Sequence, residues 1–173
     1  CRMNRVLVTC PPMLRQIGRF TDYAAERDLE LVPADVTQTL SESELKELLP
    51  KYDGWIIGDD PATRAVFEAG QNGRLRAAVK WGVGVDNVDF GACRDLGIPI
   101  ENTPGMFGAE VADVALAYVI GLARQLFLID RSVRIKNTWP KPAGISLAGR
   151  RAGVVGLGDI GKNTAKRLMA CDM

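Results

Sequence analysis

The chain has no histidine in its 173 residues, and that absence narrows its chemistry more than any other feature of its composition. Imidazole is the usual acid–base group near neutral pH and a common zinc ligand, so these residues hold no histidine-based proton relay or zinc site. Four cysteines, Cys1, Cys10, Cys93 and Cys171, form no C-x-x-C pair and no metal-ligand spacing. Free thiols in a reducing, cytoplasmic setting are the expectation. A net charge of +1 without any basic run of five or more leaves no nucleic-acid footprint. No window approaches about 18 uninterrupted apolar residues and no charged-then-apolar leader opens the chain, so a soluble protein without membrane span or signal peptide is expected. Internal repeats and low-complexity tracts are missing too. What remains, 47% hydrophobic and 25% charged residues, is ordinary for a globular protein of one domain, or one domain and part of another. Cys1-Arg2 before Met3, and Met173 directly after a helix, suggest a piece of a longer protein.

Short apolar runs alternate with helical patterns along the chain. Asn4–Cys10, Leu29–Pro33, Gly54–Gly58, Arg76–Trp81 and Ile98–Ile100 read as strands. Between them, Pro11-Pro12 opens a helix reaching about Asp28, and Ser41-Glu-Ser-Glu44 forms a capping box before Leu45, Leu48 and Leu49, with Pro50 as the stop. Ala62–Ala69 and Val88–Leu96 read as further helices, the second ended by Gly97. This alternation predicts an α/β fold, a parallel sheet with helices on both faces. Residues 109–127 are apolar on every side and predict one long helix buried between domains, with Glu110 and Asp113 near its start and Arg124 near its end suiting the macrodipole. Residues 131–149, with Trp139-Pro-Lys-Pro142 and Gly144, read as a connecting loop.

Gly156-Leu-Gly158-Asp-Ile-Gly161 is the most specific single stretch. Arg151–Val155 reads as a short buried strand and Asp159–Ala170 as a helix, which places the glycines in a dinucleotide-binding fingerprint. Gly156 allows the turn, Gly158 lets a diphosphate approach the backbone, and Gly161 lets helix and strand pack closely. The helix N-terminus then faces the anion. A glycine-rich turn in another α/β domain would look the same. A second stretch, Gly82-Val-Gly84-Val-Asp-Asn87-Val-Asp89, follows a strand and precedes a helix. Its exposed N–H groups would make an anion cradle for a carboxylate. It also fits an ordinary strand-to-helix turn capped by Asp86 or Asn87. Asn102-Thr-Pro-Gly105 reads as a turn after the fifth strand.

Taken in order, Val79–Asp89, Gly97–Ile100, Asn102–Gly105, Val111–Asp113 and Gly149–Gly161 resemble the D-2-hydroxyacid dehydrogenase family, which includes phosphoglycerate dehydrogenase and glyoxylate/hydroxypyruvate reductase. The resemblance is strong from about Leu75 to Met173. It implies two doubly wound domains with a cleft between them. Residues 1–101 would form most of a flavodoxin-like substrate domain, which the family completes with its C-terminus. Residues 102–173 would open a Rossmann domain for NAD or NADP, with helix 109–127 at the domain and subunit boundaries of a homodimer. By the same resemblance, Val83 and Gly84 would meet the substrate carboxylate, with Val83 also at the nicotinamide. Gly156, Gly158, Asp159, Ile160 and Gly161 would hold the cofactor.

The implied activity is hydride transfer between nicotinamide and a small D-2-hydroxy or 2-keto acid. The family's catalytic arginine, glutamate and histidine lie beyond the fingerprint, so no catalytic residue is assigned here, and this chain alone is expected to be inactive. The acidic residue that reads the cofactor ribose follows the first glycine by about 20 residues, past Met173, so NAD and NADP are not separated. Where phosphoglycerate dehydrogenases often carry an Arg-Ser pair, this chain has Gly58-Asp59-Asp60. Two carboxylates at a cleft mouth would repel a phosphorylated acid, unless the loop is plain solvated surface. Corepressors of the same fold, in which dinucleotide binding controls assembly, would need extra recognition segments, and none is visible. An interaction module made of this half alone is the third reading.

Overall fold

The computed structural model describes residues 2–173, and the chain falls into two compact units, Cys1–Pro104 and Gly105–Met173. The first unit is a five-stranded parallel sheet of order β2-β1-β3-β4-β5, formed by β1 (Asn4–Val8), β2 (Leu29–Pro33), β3 (Gly54–Ile57), β4 (Ala77–Lys80) and β5 (Ile100–Glu101). The α/β expectation holds. Strand order reverses between β1 and β3, whose register pairs Leu7 with Trp55 and Val8 with Ile56. Side chains alternate across the pleat, so one face presents Leu7, Trp55, Ile57 and Ala78. That face packs on α3 (Glu42–Leu48), α4 (Arg64–Gln71) and α5 (Phe90–Leu96) through Leu45, Val66, Phe67 and Cys93. The other face, with Val8, Leu31 and Ile56, receives Met13, Leu14, Ile17 and Phe20. Beside them Val6, Leu29, Ala77 and Val79 border an open apolar depression.

Local signals set several boundaries. The Ser41 hydroxyl accepts from the Glu44 N–H while the Glu44 carboxylate accepts from the Ser41 N–H, as a capping box requires. Gly97 ends α5 in the left-handed region at φ 67°. The helix expected over 11–28 is instead broken into α1 (Pro11–Leu14), a 3-10 turn at Ile17–Arg19 and α2 (Thr21–Ala25). Gly18 falls at the break, where a helix is weakest, and the break lets Ile17 and Phe20 reach the sheet.

The second unit is helical, with α6 (Gly108–Ala123), α7 (Leu126–Lys136) and α8 (Asp159–Met169). The single helix expected over 109–127 is bent by 73° at Arg124-Gln125, where Gln125 takes φ 56°. Phe127 folds back over Gly121, where a Cβ would approach its ring to 2.6 Å, and packs against Tyr118 with ring centroids 6.2 Å apart and planes tilted by 50°. The α6 carbonyl freed at Ala123 accepts from the Ile145 N–H at 2.8 Å. Helix α7 therefore occupies part of the stretch read as loop. Within the chain, α6 buries Ala112 and Gly121 but leaves Val111, Val114, Tyr118 and Leu122 exposed, so the expected all-round burial is not seen here. No single helix among the described residues is long and apolar enough to cross a membrane.

The buried strand expected at Arg151–Val155 is not formed, and Val155 is fully exposed. A strand needs neighbours to receive its N–H and C=O groups, and no strand lies among the described residues of this unit.

Candidate functional site

Open parallel sheets bind ligands at the carboxyl ends of their strands, near the point where strand order reverses. At that end of the first unit, a polar cluster joins β1, β3 and β4. Asp60 is 0% exposed and accepts hydrogen bonds from the Leu40 N–H at 2.9 Å, from the Gly58 N–H at 3.1 Å and from the Thr9 hydroxyl. The Trp55 indole donates to the Thr9 oxygen at 3.0 Å. Gly58 is required by closeness: a Cβ there would meet the Cys10 Cα at 2.9 Å. Burial pushes the neighbouring Cys10 thiol up, with a backbone hydrogen bond from Met13 and Lys80 pulling the other way.

This geometry revises the reading of Asp59 and Asp60 as a pair of carboxylates at a cleft mouth. Asp60 is a saturated internal acceptor that organises the β1 and β3 ends. Only Asp59 is exposed, and it pairs with the Lys80 ammonium at 3.1 Å. Adjacent identical residues carry no sequence signal that separates them. Lys80 and Thr9 also escaped assignment, although a lysine closing an otherwise apolar strand is the kind of position to question.

The loop after β4 is anchored on both sides. Gly82, at φ 141°, donates to the Thr103 hydroxyl at 2.9 Å, and the Thr103 N–H returns to the Gly82 carbonyl at 3.0 Å. Asn102 Nδ2 donates to the Val83 carbonyl at 3.1 Å. The Asn102–Gly105 turn thus holds the glycine loop in shape. Asn87 is not the helix cap. Its amide instead donates to the Gly58 and Asp60 carbonyls at 3.1 and 2.7 Å, and Asp89 caps α5 through the Ala92 N–H at 2.8 Å. With these contacts made, the N–H groups of Val83 and Gly84 have no acceptor among the described residues. No protein atom lies within 4 Å of where a Cβ on Gly84 would sit. The loop can therefore receive a small anion on its backbone.

In the second unit, the fingerprint glycines divide by role. A Cβ on Gly161 would overlap the Gly156 carbonyl oxygen and touch Val154 at 3.4 Å, so Gly161 serves close packing even without the strand. Gly156 adopts φ 87°, a left-handed turn. Gly158 precedes α8 as its N-cap, and open space surrounds both Gly156 and Gly158. No side chain caps α8, and the N–H groups of Asp159, Ile160 and Gly161 have no acceptor among the described residues. The Asp159 carboxylate lies against Gly108 and accepts from Asn163 at 3.1 Å. Helix α8 is held to α6 by Leu168 burial and by Arg167 pairing with Asp113 at 2.5 Å. An unsatisfied helix start beside bare backbone fits a diphosphate, and the Gly156–Gly161 turn is the part of this chain that would hold one. No group of three or more metal-ligating side chains that could hold an ion occurs among the described residues.

A parallel sheet with a glycine loop after its fourth strand, followed in sequence by a helix that starts at a glycine turn, defines an α/β protein with two backbone N–H clusters free of acceptors among the described residues. Residues 12–170 match the family described as D-isomer specific 2-hydroxyacid dehydrogenase, catalytic domain, and the chain belongs to that family. A D-3-phosphoglycerate dehydrogenase of Archaeoglobus fulgidus is 36% identical over 155 residues, covering 88% of this chain and 28% of the relative. A glyoxylate/hydroxypyruvate reductase of Arabidopsis thaliana is 33% identical over 172 residues, covering 94% and 50%. The crystal structure of the TT0316 protein of Thermus thermophilus superposes with TM-score 0.82 and 31% identity, over 98% of this chain and 54% of that one. The chain spans half or less of the length of these two curated relatives.

Proposed function

We propose that this chain supplies the substrate-carboxylate loop and the opening of the cofactor domain in an NAD(P)-dependent oxidoreductase acting on a small D-2-hydroxy or 2-keto acid. The observation that carries the reading is two sets of backbone N–H groups without acceptors among the described residues: those of Val83 and Gly84 in the first unit, and those of Asp159, Ile160 and Gly161 in the second. When bound, nicotinamide supplies hydride chemistry. The chain's own part is positioning. The Val83 and Gly84 N–H groups orient the carboxylate, with Val83 also lining the nicotinamide. Gly156 shapes the turn, Gly161 seats α8, and the α8 N-terminus neutralises diphosphate charge. Residues 1–101 serve the substrate and 102–173 the cofactor, in a cytoplasmic homodimer without nucleic-acid or membrane partners.

Proton transfer by histidine falls outside these residues, since none is a histidine. The test is steady-state oxidation of NADH or NADPH with a panel of 2-keto acids. Turnover by the protein that carries this chain, and none by the 173 residues alone, is expected. Failure of every panel member with the former contradicts the reading.

A further inference from the structure

Lys80 closes β4 with its side chain turned inward, only 4% exposed, where lysines are rarely found. An ammonium carries three donors. One goes to the Gly58 carbonyl and one to Asp59 Oδ1 at 3.1 Å, and the third has no acceptor among the described residues. The nitrogen lies 4.0 Å from where a Cβ on Gly82 would sit, so the charge rests beneath the loop whose next two N–H groups are free. Burying an ammonium is costly unless an anion compensates it. Asp60 makes no ion pair with Lys80, its carboxylate being turned to Thr9, Leu40 and Gly58. The compensating group is Asp59, whose side chain is 81% exposed and free to swing into water.

We propose that Lys80 belongs to the anion site of the 82–84 loop, and that Asp59 is a stand-in counter-ion which yields when a ligand carboxylate arrives. The proposal rests on the reading of Val83 and Gly84 as carboxylate donors. Lys80 adds a charge-assisted contact to theirs, and Asp59 sets affinity by competing for the same ammonium. A mobile side-chain carboxylate is exchanged for a ligand carboxylate as the partner of the same ammonium.

The experiment titrates the complete chain, labelled with 15N, with pyruvate and with its uncharged counterpart pyruvamide, following the Val83 and Gly84 amides. Pyruvate is expected to shift both. Lys80→Met, which keeps an unbranched stem without the charge, should weaken pyruvate by about tenfold or more, and Lys80→Arg should restore most of the loss. Asp59→Asn should tighten pyruvate by about two- to fivefold. Pyruvamide affinity should respond to neither change, which a merely structural lysine would not explain. Pyruvate binding unaltered in Lys80→Met overturns the role of Lys80 but leaves the loop reading intact. No shift at Val83 or Gly84 in the unsubstituted chain overturns both. Should Lys80→Met not fold, Asp59→Asn decides alone, and unchanged or weaker pyruvate binding refutes the proposal.

Discussion

Asp59 and Asp60 stand side by side, yet alanine at each should have very different consequences for stability. Removing the Asp60 carboxylate strands the Leu40 and Gly58 N–H groups, which donate to it at 2.9 and 3.1 Å inside the fold. The Thr9 hydroxyl can turn to the Ile56 carbonyl, 3.2 Å away, and so suffers less. A buried donor left unsatisfied costs about 1–3 kcal/mol, so two stranded amides give roughly 4 kcal/mol for Asp60→Ala. Asp59→Ala leaves the buried Lys80 ammonium with the Gly58 carbonyl alone, but the lost carboxylate is itself exposed and water can take its place, a loss of about 1–2 kcal/mol. With a urea slope of about 2 kcal/mol per molar, Asp60→Ala should lower the midpoint by about 2 M and Asp59→Ala by only about 0.5–1 M. Trp55, fully buried with its indole on Thr9, reports this transition by fluorescence. Equal shifts for the two variants, or a larger one for Asp59→Ala, would refute the assignment of Asp60 as the organising acceptor.

Three further outcomes follow from particular contacts. Gly161→Ala forces a Cβ onto the Gly156 carbonyl, and overpacking of this kind costs about 1–3 kcal/mol. Faster amide exchange in α8 should reveal it, and unchanged exchange would contradict it. Burial, and then Asp89, push the Cys93 thiol from 9.0 up to about 11. The unfolded chain then loses this proton first, so the stability it carries is intact below about pH 9 and falls as pH rises from there through about 11. Cys93→Ala should flatten that decline, and an identical slope would count against it. Amides at 151–157, which have no ladder partners, should exchange within the fast regime, whereas those around buried Leu168 are protected. Strong protection at Val154 and Val155 would show a paired strand there and contradict the open arrangement.

Features written in a few adjacent residues are legible in the order of amino acids alone. The Ser41 capping box, the Gly97 helix end and the Gly156–Gly161 turn depend on local backbone geometry, and residue type reports that directly. Features set by distant partners are not. The 151–155 run has the composition of a strand but no neighbouring strand in its unit among the described residues. The α6–α7 bend depends on Phe127 reaching back to Gly121, a contact that the apolar pattern of residues 109–127 does not announce. At the candidate site, Val83 and Gly84 are legible as exposed loop donors because glycine spacing marks such loops. The inward turn of Lys80 and the different fates of Asp59 and Asp60 arise from strands meeting about 20 to 50 residues apart in sequence, beyond any local pattern.

Whether the bare start of α8 holds a diphosphate is the most direct test of the cofactor role. Amide-resolved titration of the chain with NAD+ should move Gly158, Asp159 and Ile160 first and furthest, and Gly158→Val, which fills the open approach to the backbone, should abolish those shifts. Resonances at these three positions that stay fixed while NAD+ saturates, or that move equally in Gly158→Val, would contradict it.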